Sequence, residues 1–475
     1  MSFYSTAFLL FLPFFLSGYF LTRGRLRLVV CLAGSYIFYG WADWRFAGLL
    51  AGSTSIDYLL SRRLMGTSEM KGRKALLVAS ITLNIGLLVL FKYFNFFVEG
   101  FSAIISYGAA QHSASLTLIL PVGISFYTFQ KIGYMVDLYR GAIDGEKSFL
   151  RFATFVAFFP KLMAGPIVSA PKFLPQLQTD HPLDWNKITG GLELMLQGFF
   201  KKAVIANSLG VVVDNFFAHP EFQTSLTLMV GAIFYSFQIY CDFSGYSDIA
   251  IGLGRVLGFD LGINFERPYF AMSFSDFWKR WHISLSEWLR DYVYIPMGGS
   301  RGGTARTIRN LLVTMLICGL WHGANWTFIV WGGLHGLYLA AQRLLGSSFR
   351  RSVEHFEGAP RTLMRVTQML TVSVFVTIAW IFFRAPSLGS ALAFLQGIGS
   401  LDNLAFSAVP LRFWVVKGIL LIGMLISIEG LHLVAPRVTQ ALGSAHFRFA
   451  TNAAMLWCIA LFGVFSNSIF IYSHF

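Results

Sequence analysis

Residues 310–342 read NLLVTMLICGLWHGANWTFIVWGGLHGLYLAAQ and contain no Lys, Arg, Asp or Glu. As one helix rising about 1.5 Å per residue, this run would reach roughly 48 Å, whereas the core of a bilayer is about 30 Å thick. The run is therefore too long for one upright crossing and too short for two. His322 lies near its middle and is followed by Gly323, a residue type that can end a helix. The sequence predicts a broken membrane segment with a titratable imidazole at the break.

The imidazole of His322 has two interpretations on this stretch alone. Ionisable side chains are costly to place inside a membrane, and those that are found there usually serve a function. Alternatively, His322 is held by a hydrogen bond to a neighbouring helix, or lies in a simple loop between two short helices. Trp321 and Trp326 flank the break and are compatible with either interpretation.

The composition of the whole chain is typical of a membrane protein. It has 475 residues, of which 55% are hydrophobic, 17% aromatic and 13% charged. Soluble domains carry about 25% charged residues. No polar block is long enough to form a soluble domain, so we predict one integral membrane domain over residues 1–475. The predicted fold class is all-α and polytopic, with about eleven membrane segments that include broken or re-entrant helices.

The net charge of +14 is explained more simply by basic residues in cytoplasmic loops than by binding to nucleic acid. Cytoplasmic loops of membrane proteins collect basic residues, and here such residues cluster at 23–27, 62–74 and 343–365. No zinc-finger spacing accompanies them, so the expected partner is membrane lipid and not nucleic acid. All four cysteines lie in apolar stretches without a CxxC pair, which predicts neither disulfides nor metal ligands.

The other predicted segments follow the apolar stretches of the chain. Basic residues come after the first stretch, so we expect a retained span with an external N-terminus and not a cleaved signal peptide. The motif PKLMAGP at 160–166 interrupts another apolar stretch, and such irregular backbone is tolerated in a membrane only where protein or a water-filled cavity covers it. The remaining segments are 3–21, 28–42, 45–60, 75–91, 116–136, 188–217, 226–254, 366–383, 412–435 and 450–472.

Three polar side chains lie within the apolar stretch 226–254. Gln238 and Asp242 are four residues apart and share a helical face, whereas Asp248 lies about 80° from Asp242. Two carboxylates in an apolar run cost several kcal/mol unless they are paired or hydrated. They are either structural, as caps or hydrogen-bond acceptors for re-entrant backbone, or part of a functional site.

Residues 274–296, FSDFWKRWHISLSEWLRDYVYIP, predict one amphipathic helix with an aromatic face and a charged face. Ser275 or Asp276 is the expected N-cap. The helix is too charged to cross a membrane and rich enough in Trp to lie at its interface. His282 falls on the aromatic face, where it serves either packing or chemistry. The glycine-rich loop 297–310 lacks the GxxxxGKS pattern, which favours a flexible basic loop over a phosphate-binding P-loop.

Five motifs together resemble a known family. They are PKLMAGPI (160–167), QIYCDFSGYSDIAIG (238–252), FWKRWHISLSEWLRDYVYIPMGGSR (277–301), RNLLVTMLICGLWHGANWTFIVWGGLHG (309–336) and FIYSHF (470–475). On these motifs, which are spread over most of the chain, the sequence resembles the membrane-bound O-acyltransferase family and, within it, the bacterial alginate O-acetyltransferase branch.

The resemblance implies a multi-helix bundle around a central funnel or tunnel in the bacterial cell inner membrane. The membrane histidine of the family falls on His322 and its second histidine on His282. The family moves an acyl group from a thioester to a hydroxyl, and in this branch the donor is cytoplasmic acetyl-CoA. The acetyl group is expected to reach an exopolysaccharide such as alginate, through a periplasmic or membrane-anchored hydrolase-like partner within a polysaccharide secretion complex.

The chemistry expected of His322 is that of a catalytic base. An imidazole with an ordinary pKa near 6.5 can accept a hydroxyl proton at neutral pH, an effect worth about 10²–10⁴-fold in rate. Asn325 or backbone N–H groups freed at the break are candidates for stabilising the oxyanion. Candidates for substrate or tunnel contacts are Gln238, Asp242, Asp248, Asn325 and Trp321.

Coenzyme A is highly anionic, so cationic residues are expected where it enters. The candidates, chosen by charge alone, are Lys279, Arg280, Arg301 and Arg306. Acetyl-CoA is then a donor substrate, and neither a bound cofactor nor a metal is expected.

Three other functions are compatible with the sequence. A related reaction is transfer of D-alanyl or another acyl group to a cell-envelope polymer. A different class is a proton-coupled transporter with His322 and Asp242 as its relay, or a non-catalytic scaffold of a secretion complex. Transporters commonly contain repeated halves, and the sequence contains no such repeat.

Overall fold

The computed structural model describes residues 1–98, 119–354, 358–401, 404, 411–434, 444–465 and 471. Helices and irregular segments make up all of these residues, and no strand occurs among them. Two predictions lie largely outside the described residues. They are the start of the apolar segment 116–136 and the terminal motif FIYSHF, of which only Ile471 is described.

Helices form wherever the apolar stretches predicted them. The first part of the chain contains α1 (Thr6–Leu21), α2 (Gly24–Gly40), α3 (Trp44–Gly66), α4 (Met70–Leu88), α5 (Ile124–Arg140), α6 (Phe149–Ala157), α7 (Phe159–Leu162), α8 (Ala170–Phe173) and α9 (Trp185–Phe200). The remainder contains α10 (Asn207–Ala218), α11 (Ser225–Val256), α12 (Phe274–Arg280), α13 (Ile283–Leu289), α14 (Thr304–His322), α15 (Trp326–Glu354), α16 (Ala359–Arg384), α17 (Leu388–Ser400), α18 (Arg412–Val434) and α19 (Ala445–Phe462).

Five helices in the described part of the chain are long and apolar enough to cross a membrane. They are Met70–Val98, Trp185–Ala218, Ser225–Val256, Pro360–Arg384 and Arg412–Leu431. Each coincides with a predicted segment, and α1 and α17 are shorter apolar helices. The all-α, polytopic fold class is therefore confirmed, while the count of about eleven segments stays a prediction.

The chain divides into two compact units. The first comprises Met1–Met195 and Ile249–Ile263, and the second comprises Leu196–Asp248 and Asn264–Phe475. In the first unit, rings from α1, α2 and α7 pack together, and the Phe159 ring centroid lies 5.0 Å from those of both Phe15 and Phe38. Packed aromatic side chains of this kind bury a large apolar area and hold the helices together.

The first unit also contains a buried polar cluster between α3, α4 and α5. Lys131 Nζ lies 3.3 Å from Asp57 Oδ2, and neither side chain is exposed. Ser80 and Asn84 donate further hydrogen bonds to the Asp57 carboxylate. Buried charges need such pairing, and this cluster explains how α3 and α5 carry charged residues in apolar surroundings.

The second unit is built around the helical hairpin of α14 and α15. The predicted break is confirmed, because α14 ends at His322 and Gly323 takes up extended backbone. The two helices pack closely through small residues. A Cβ at Gly319 would lie 2.2 Å from Phe328 O, and a Cβ at Gly332 would lie 2.3 Å from Met315 O. Glycine is therefore required at both positions for the two backbones to approach this closely.

We expect Gly332→Ala to destabilise the second unit. The added Cβ meets backbone and not a flexible side chain, so the helices must separate, and overpacking of this kind costs about 1–3 kcal/mol. Gly333→Ala is the matched control, because its nearest neighbour would be Leu316 Cδ2 at 3.8 Å. Thermal unfolding of the purified protein in detergent measures the difference. Equal unfolding midpoints for the two variants would contradict the close packing of the hairpin.

Candidate active site

His322 lies at the C-terminal end of α14 in an aromatic environment. Its side chain is almost fully buried, with 1% of the residue exposed. The centroid of its ring lies 4.9 Å from Trp331 and 5.2 Å from Phe383. Trp331 belongs to α15 and Phe383 to α16, so three helices enclose the imidazole. Since the helix stops at Gly323, the histidine is presented at a break and not along a continuous helical face.

His282 also lies at a helix break, which differs from the prediction. The segment 274–296 was expected to form one amphipathic helix, but α12 ends at Arg280 and α13 begins at Ile283. Between them, His282 adopts left-handed backbone with φ 41° and ψ 56°. This conformation is uncommon for a residue with a side chain, and such strain is often found at functional sites. The side chain of His282 is buried, with 0% of the residue exposed.

The N-cap of this segment also differs from the prediction. Ser273, and neither Ser275 nor Asp276, caps α12 by accepting a hydrogen bond of 3.1 Å from Asp276 N. Asp276 instead bonds Arg280, with 2.8 Å between Oδ1 and Nε. The helix thus begins at Phe274, two or three residues earlier than the predicted N-caps would place its start, because the Ser273 side chain satisfies a free N–H group of its first turn.

Asn264 fixes the orientation of His282. Its Oδ1 lies 3.1 Å from His282 Nδ1 and also accepts hydrogen bonds from Ser284 N and Oγ. Its Nδ2 donates to Ser247 Oγ at 3.1 Å. Since the acceptor at Nδ1 is an amide oxygen, Nδ1 carries the proton and Nε2 is left as the basic nitrogen. Asn264 was not predicted as a site residue, because it lies eighteen residues before His282 and belongs to no recognisable local pattern.

Burial keeps His282 in its neutral form. The residue lies outside the five helices that can cross a membrane, and its surroundings lower its pKa to about 3 by desolvation. At neutral pH its imidazole is therefore uncharged and suited to hydrogen bonding or to proton acceptance.

Trp321 contacts both histidines. Its ring centroid lies 6.0 Å from that of His282 and 4.9 Å from that of His322, both at steep angles between the planes. The two predicted catalytic histidines are therefore brought together around one indole ring. The prediction placed Trp321 among the residues that border the substrate, and its position next to both imidazoles is consistent with that role.

His335 is a third histidine in this region, and the sequence analysis overlooked it. It is fully buried, and neither ring nitrogen has a hydrogen-bond partner among the described residues. Its ring centroid lies 4.9 Å from Trp331 and 5.0 Å from Trp278. His335 belongs to the same charge-free run as His322, so its presence in that run was the signal that could have identified it.

The two aspartates of α11 are paired with lysines. Asp242 Oδ1 accepts a hydrogen bond from Lys202 Nζ, and both side chains are buried. Its other oxygen accepts from the backbone N of Ile471 at 2.9 Å. Asp248 Oδ2 lies 2.7 Å from Lys201 Nζ at a partly exposed position. This pairing satisfies both carboxylates and favours the structural interpretation, in which they hold α11 against the chain around Lys201 and Lys202.

The other predicted substrate residues have structural neighbours. Asn325 caps α15, because Oδ1 accepts from Thr327 N at 3.0 Å while Nδ2 donates to Pro386 O at 3.0 Å. Gln238 packs against Gly210, where its Nε2 lies 3.0 Å from the position that a Cβ would occupy. Their proposed contacts with substrate stay predictions.

Of the four cationic residues predicted for coenzyme A, Lys279 and Arg280 lie in the last turn of α12, Arg301 precedes α14, and Arg306 lies in the first turn of α14. Lys279, Arg301 and Arg306 are exposed, whereas Arg280 is half-buried and paired with Asp276. Arg306 packs against the glycine-rich loop, with Nη1 3.3 Å from the position of a Cβ at Gly302. The exposed three are accessible to an anion, but no contact among the described residues assigns one to them.

In the described part of the chain, no group of three or more His, Cys, Asp or Glu side chains is arranged to hold a metal ion. All four cysteines are free thiols. The imidazoles of the histidine cluster are groups that can transfer protons and form hydrogen bonds, and they lie in an apolar, aromatic environment.

One family model and several known proteins match this chain. A model of the membrane-bound O-acyltransferase family matches residues 142–383. The probable alginate O-acetylase of Azotobacter vinelandii is 42% identical over 395 residues, which cover 82% of this chain and 76% of the relative. The peptidoglycan O-acetyltransferase of Helicobacter pylori is 36% identical over 427 residues, which cover 83% and 79%.

A more distant similarity joins the chain to the teichoic acid D-alanyltransferase of Streptococcus thermophilus. The identity is 29% over 237 residues, which cover 46% of this chain and 55% of the relative. The family model spans more than half of the chain, and both histidine motifs lie within it. The chain therefore belongs to the membrane-bound O-acyltransferase family and is a multi-pass membrane O-acyltransferase.

Proposed function

We propose that the protein transfers acetyl from cytoplasmic acetyl-CoA across the inner membrane to a hydroxyl of a periplasmic partner or exopolysaccharide, with His322 as the catalytic base. The observation that carries the proposal is the burial of His322 at the break between α14 and α15. The similarity to a probable alginate O-acetylase over 82% of the chain supports the acetyl group and the polysaccharide as acceptor class.

The reaction is an acyl transfer without change of oxidation state. The acceptor hydroxyl oxygen attacks the carbonyl carbon of the thioester while His322 takes the hydroxyl proton. The tetrahedral intermediate then collapses, the carbon–sulfur bond breaks, and the imidazolium returns the proton to the leaving thiolate. The products are an acetyl ester and free coenzyme A. The base must be neutral before the reaction, and an apolar aromatic site favours that form.

His282 is proposed as a second histidine of the same site, one that orients a reactant or assists proton transfer. Asn264 Oδ1 lies 3.1 Å from its Nδ1, so Nε2 is the basic nitrogen of the ring. Trp321 connects the two rings and would limit the space between them. Backbone N–H groups at the break, or Asn325, are proposed for the oxyanion, and Arg301, Arg306, Lys279 and Arg280 for coenzyme A.

Acetyl transfer is favoured over D-alanyl transfer by the extent of the similarity. Relatives described as acetylating enzymes align over 82% and 83% of the chain, whereas the D-alanyltransferase aligns over 46%. Membership of an acyltransferase family favours catalysis over the proton-coupled transporter and the scaffold. The lysine paired with Asp242 further reduces the case for that aspartate as a free relay group.

The proposed route also requires partners that the chain does not supply. The acceptor lies outside the cytoplasm, and a hydrolase-like partner with its own serine nucleophile would carry the acetyl group to the polymer. A secretion complex would bring the polymer to that partner. The two polysaccharides named in the relatives, alginate and peptidoglycan, define the chemical class of the acceptor as a carbohydrate hydroxyl.

The decisive experiment is donor use by the purified protein. We expect proteoliposomes supplied with labelled acetyl-CoA to release coenzyme A and to transfer label to polysaccharide or partner added on the opposite side. D-alanyl carrier protein is the competing donor in a parallel reaction. Transfer of D-alanyl without transfer of acetyl would show that D-alanyl transfer is the reaction. Absence of both transfers in the presence of acceptor and partner would contradict the proposed function.

A further inference from the structure

A large cavity lies in the first unit, away from the histidine cluster in sequence. Its volume is about 590 Å³, within the range of roughly 300–1,000 Å³ that is usual for small-molecule sites. The segment after α1, the start of α6 and the loop 176–181 line it. The residues that determine its charge are Arg25, Arg27, Arg151 and Asp180.

The lining is positively charged. Three guanidinium groups and one carboxylate, Asp180, line the cavity, and Asp180 Oδ1 lies 4.0 Å from Arg27 Nη1. His181 also lines it, but burial lowers the pKa of this imidazole below its ordinary value, so it adds no charge at neutral pH. The arginines therefore decide which ligands the cavity accepts, and guanidinium groups are suited to phosphate because their N–H donors match its oxygens.

The three arginines are held to different degrees. Arg27 is 7% exposed and is fixed by hydrogen bonds to Thr22 O at 2.8 Å and His181 O at 2.6 Å. Arg151 is paired with Glu146 through two hydrogen bonds of 3.0 and 2.8 Å. Arg25 is exposed and forms no hydrogen bond or ion pair within the described ranges. Two of the lining arginines are thus held by hydrogen bonds, whereas the third, Arg25, is exposed to solvent.

Two helix N-termini add to this positive potential. Gly24, the first residue of α2, lines the cavity and donates its N–H to Asp180 Oδ1 at 3.0 Å. Ser148, which caps α6, and the first residues of that helix line it as well. Helix N-termini carry partial positive charge and favour anions. The position of the Asp180 carboxylate at Gly24 N marks where a negative group is already accommodated.

We propose that this cavity binds a phosphate group, with the exposed Arg25 and the hydrogen-bonded Arg27 and Arg151 as its cationic contacts. The cluster of arginines at 23–27 belongs to a segment predicted to face the cytoplasm, where two sources of phosphate are available. One is the head group of an anionic phospholipid, and the other is a soluble nucleotide. Both present the same anionic oxygens to the same donors, and the site does not depend on which acyl donor the enzyme uses.

The test uses the full-length protein in a neutral detergent with two probes. Native mass spectrometry with phosphatidylglycerol, compared with phosphatidylcholine, reports head-group binding. Equilibrium titration with ADP reports binding of a soluble phosphate ester. We expect Arg25→Gln to weaken binding of the responding probe about tenfold, the loss typical of one charge-assisted hydrogen bond.

Arg23→Gln is the matched control. Arg23 is exposed, lies two residues from Arg25 and has the same charge, but it is not part of the lining. Arg151→Gln provides a second variant from another helix. Binding of phosphatidylglycerol alone identifies the lipid head group as the ligand of the cavity. Binding of ADP identifies a soluble nucleotide as the ligand. Failure of the wild type to bind either probe, or equal losses for Arg23→Gln and Arg25→Gln, overturns the proposal.

Discussion

Replacing His322 with glutamine is expected to lower the rate of acetyl transfer by about 10²–10⁴-fold, the contribution of a positioned general base. Glutamine has a similar volume and can form hydrogen bonds, but it cannot accept a proton at neutral pH. Because His322 is packed between Trp331 and Phe383, a substitution of similar size keeps that aromatic packing. The loss should therefore appear in the rate of the reaction and not in the amount of folded protein.

The measurement combines enzyme activity with polymer analysis. Coenzyme A release by purified protein gives the rate, and acetate released from secreted polysaccharide by mild base gives the result in cells. His446→Gln is the matched control, because His446 is exposed at the start of α19. Detergent extraction and size-exclusion profiles show whether both variants fold. If His322→Gln acetylates polymer as fully as the wild type, His322 is not the base.

The break at His322 was predictable because it depends on local properties of the chain. A charge-free run of one and a half membrane thicknesses has to bend, and Gly323 follows the histidine directly. The close packing of Gly319 and Gly332 was not predictable in the same way. Which glycines face the partner helix depends on the register of the hairpin, and the sequence does not state that register.

The second break, at His282, depends on distant residues. The spacing of aromatic side chains in 274–296 is that of a continuous helix, and periodicity alone cannot reveal one residue with left-handed backbone. Asn264 stabilises the break by accepting hydrogen bonds from Ser284 N and Oγ, next to its contact with His282. Tertiary hydrogen bonds thus overrode the helical preference of the segment. They identify Asn264 as the residue that orients His282, which no local sequence motif predicts.

The aspartates of α11 illustrate a different limit. Their sequence predicted that each would need a partner, and both partners exist. Lys201 and Lys202 lie forty or more residues earlier in the chain, at a short π-helical turn, so the pairing is decided by the packing of two helices. The sequence indicated that the charge must be neutralised, but not which residues neutralise it.

The pair of Asp242 and Lys202 should be a large contributor to stability when one member is removed. Asp242→Leu leaves the Lys202 ammonium buried without its counter-ion, and such a change costs about 3–5 kcal/mol. Lys202→Met likewise leaves the Asp242 carboxylate buried without its counter-ion. In the double variant both charges are gone and residues of similar volume remain, so most of the stability is expected to return. The hydrogen bond from Ile471 N to Asp242 is the part that does not return.

Thermal unfolding in detergent, measured for both single variants and the double variant, gives the coupling between the two side chains. Asp248→Leu is the matched control on the same helix. Its pair with Lys201 is partly exposed, with 18% and 22% of the two side chains accessible, so breaking it should cost less.

The acetylation rate of the double variant then separates structure from function. A stable double variant that acetylates normally identifies the pair as structural, because neither charge remains to serve a relay. A double variant with wild-type stability but no acetylation would instead assign the pair a part in the reaction, since the loss could not be attributed to unfolding.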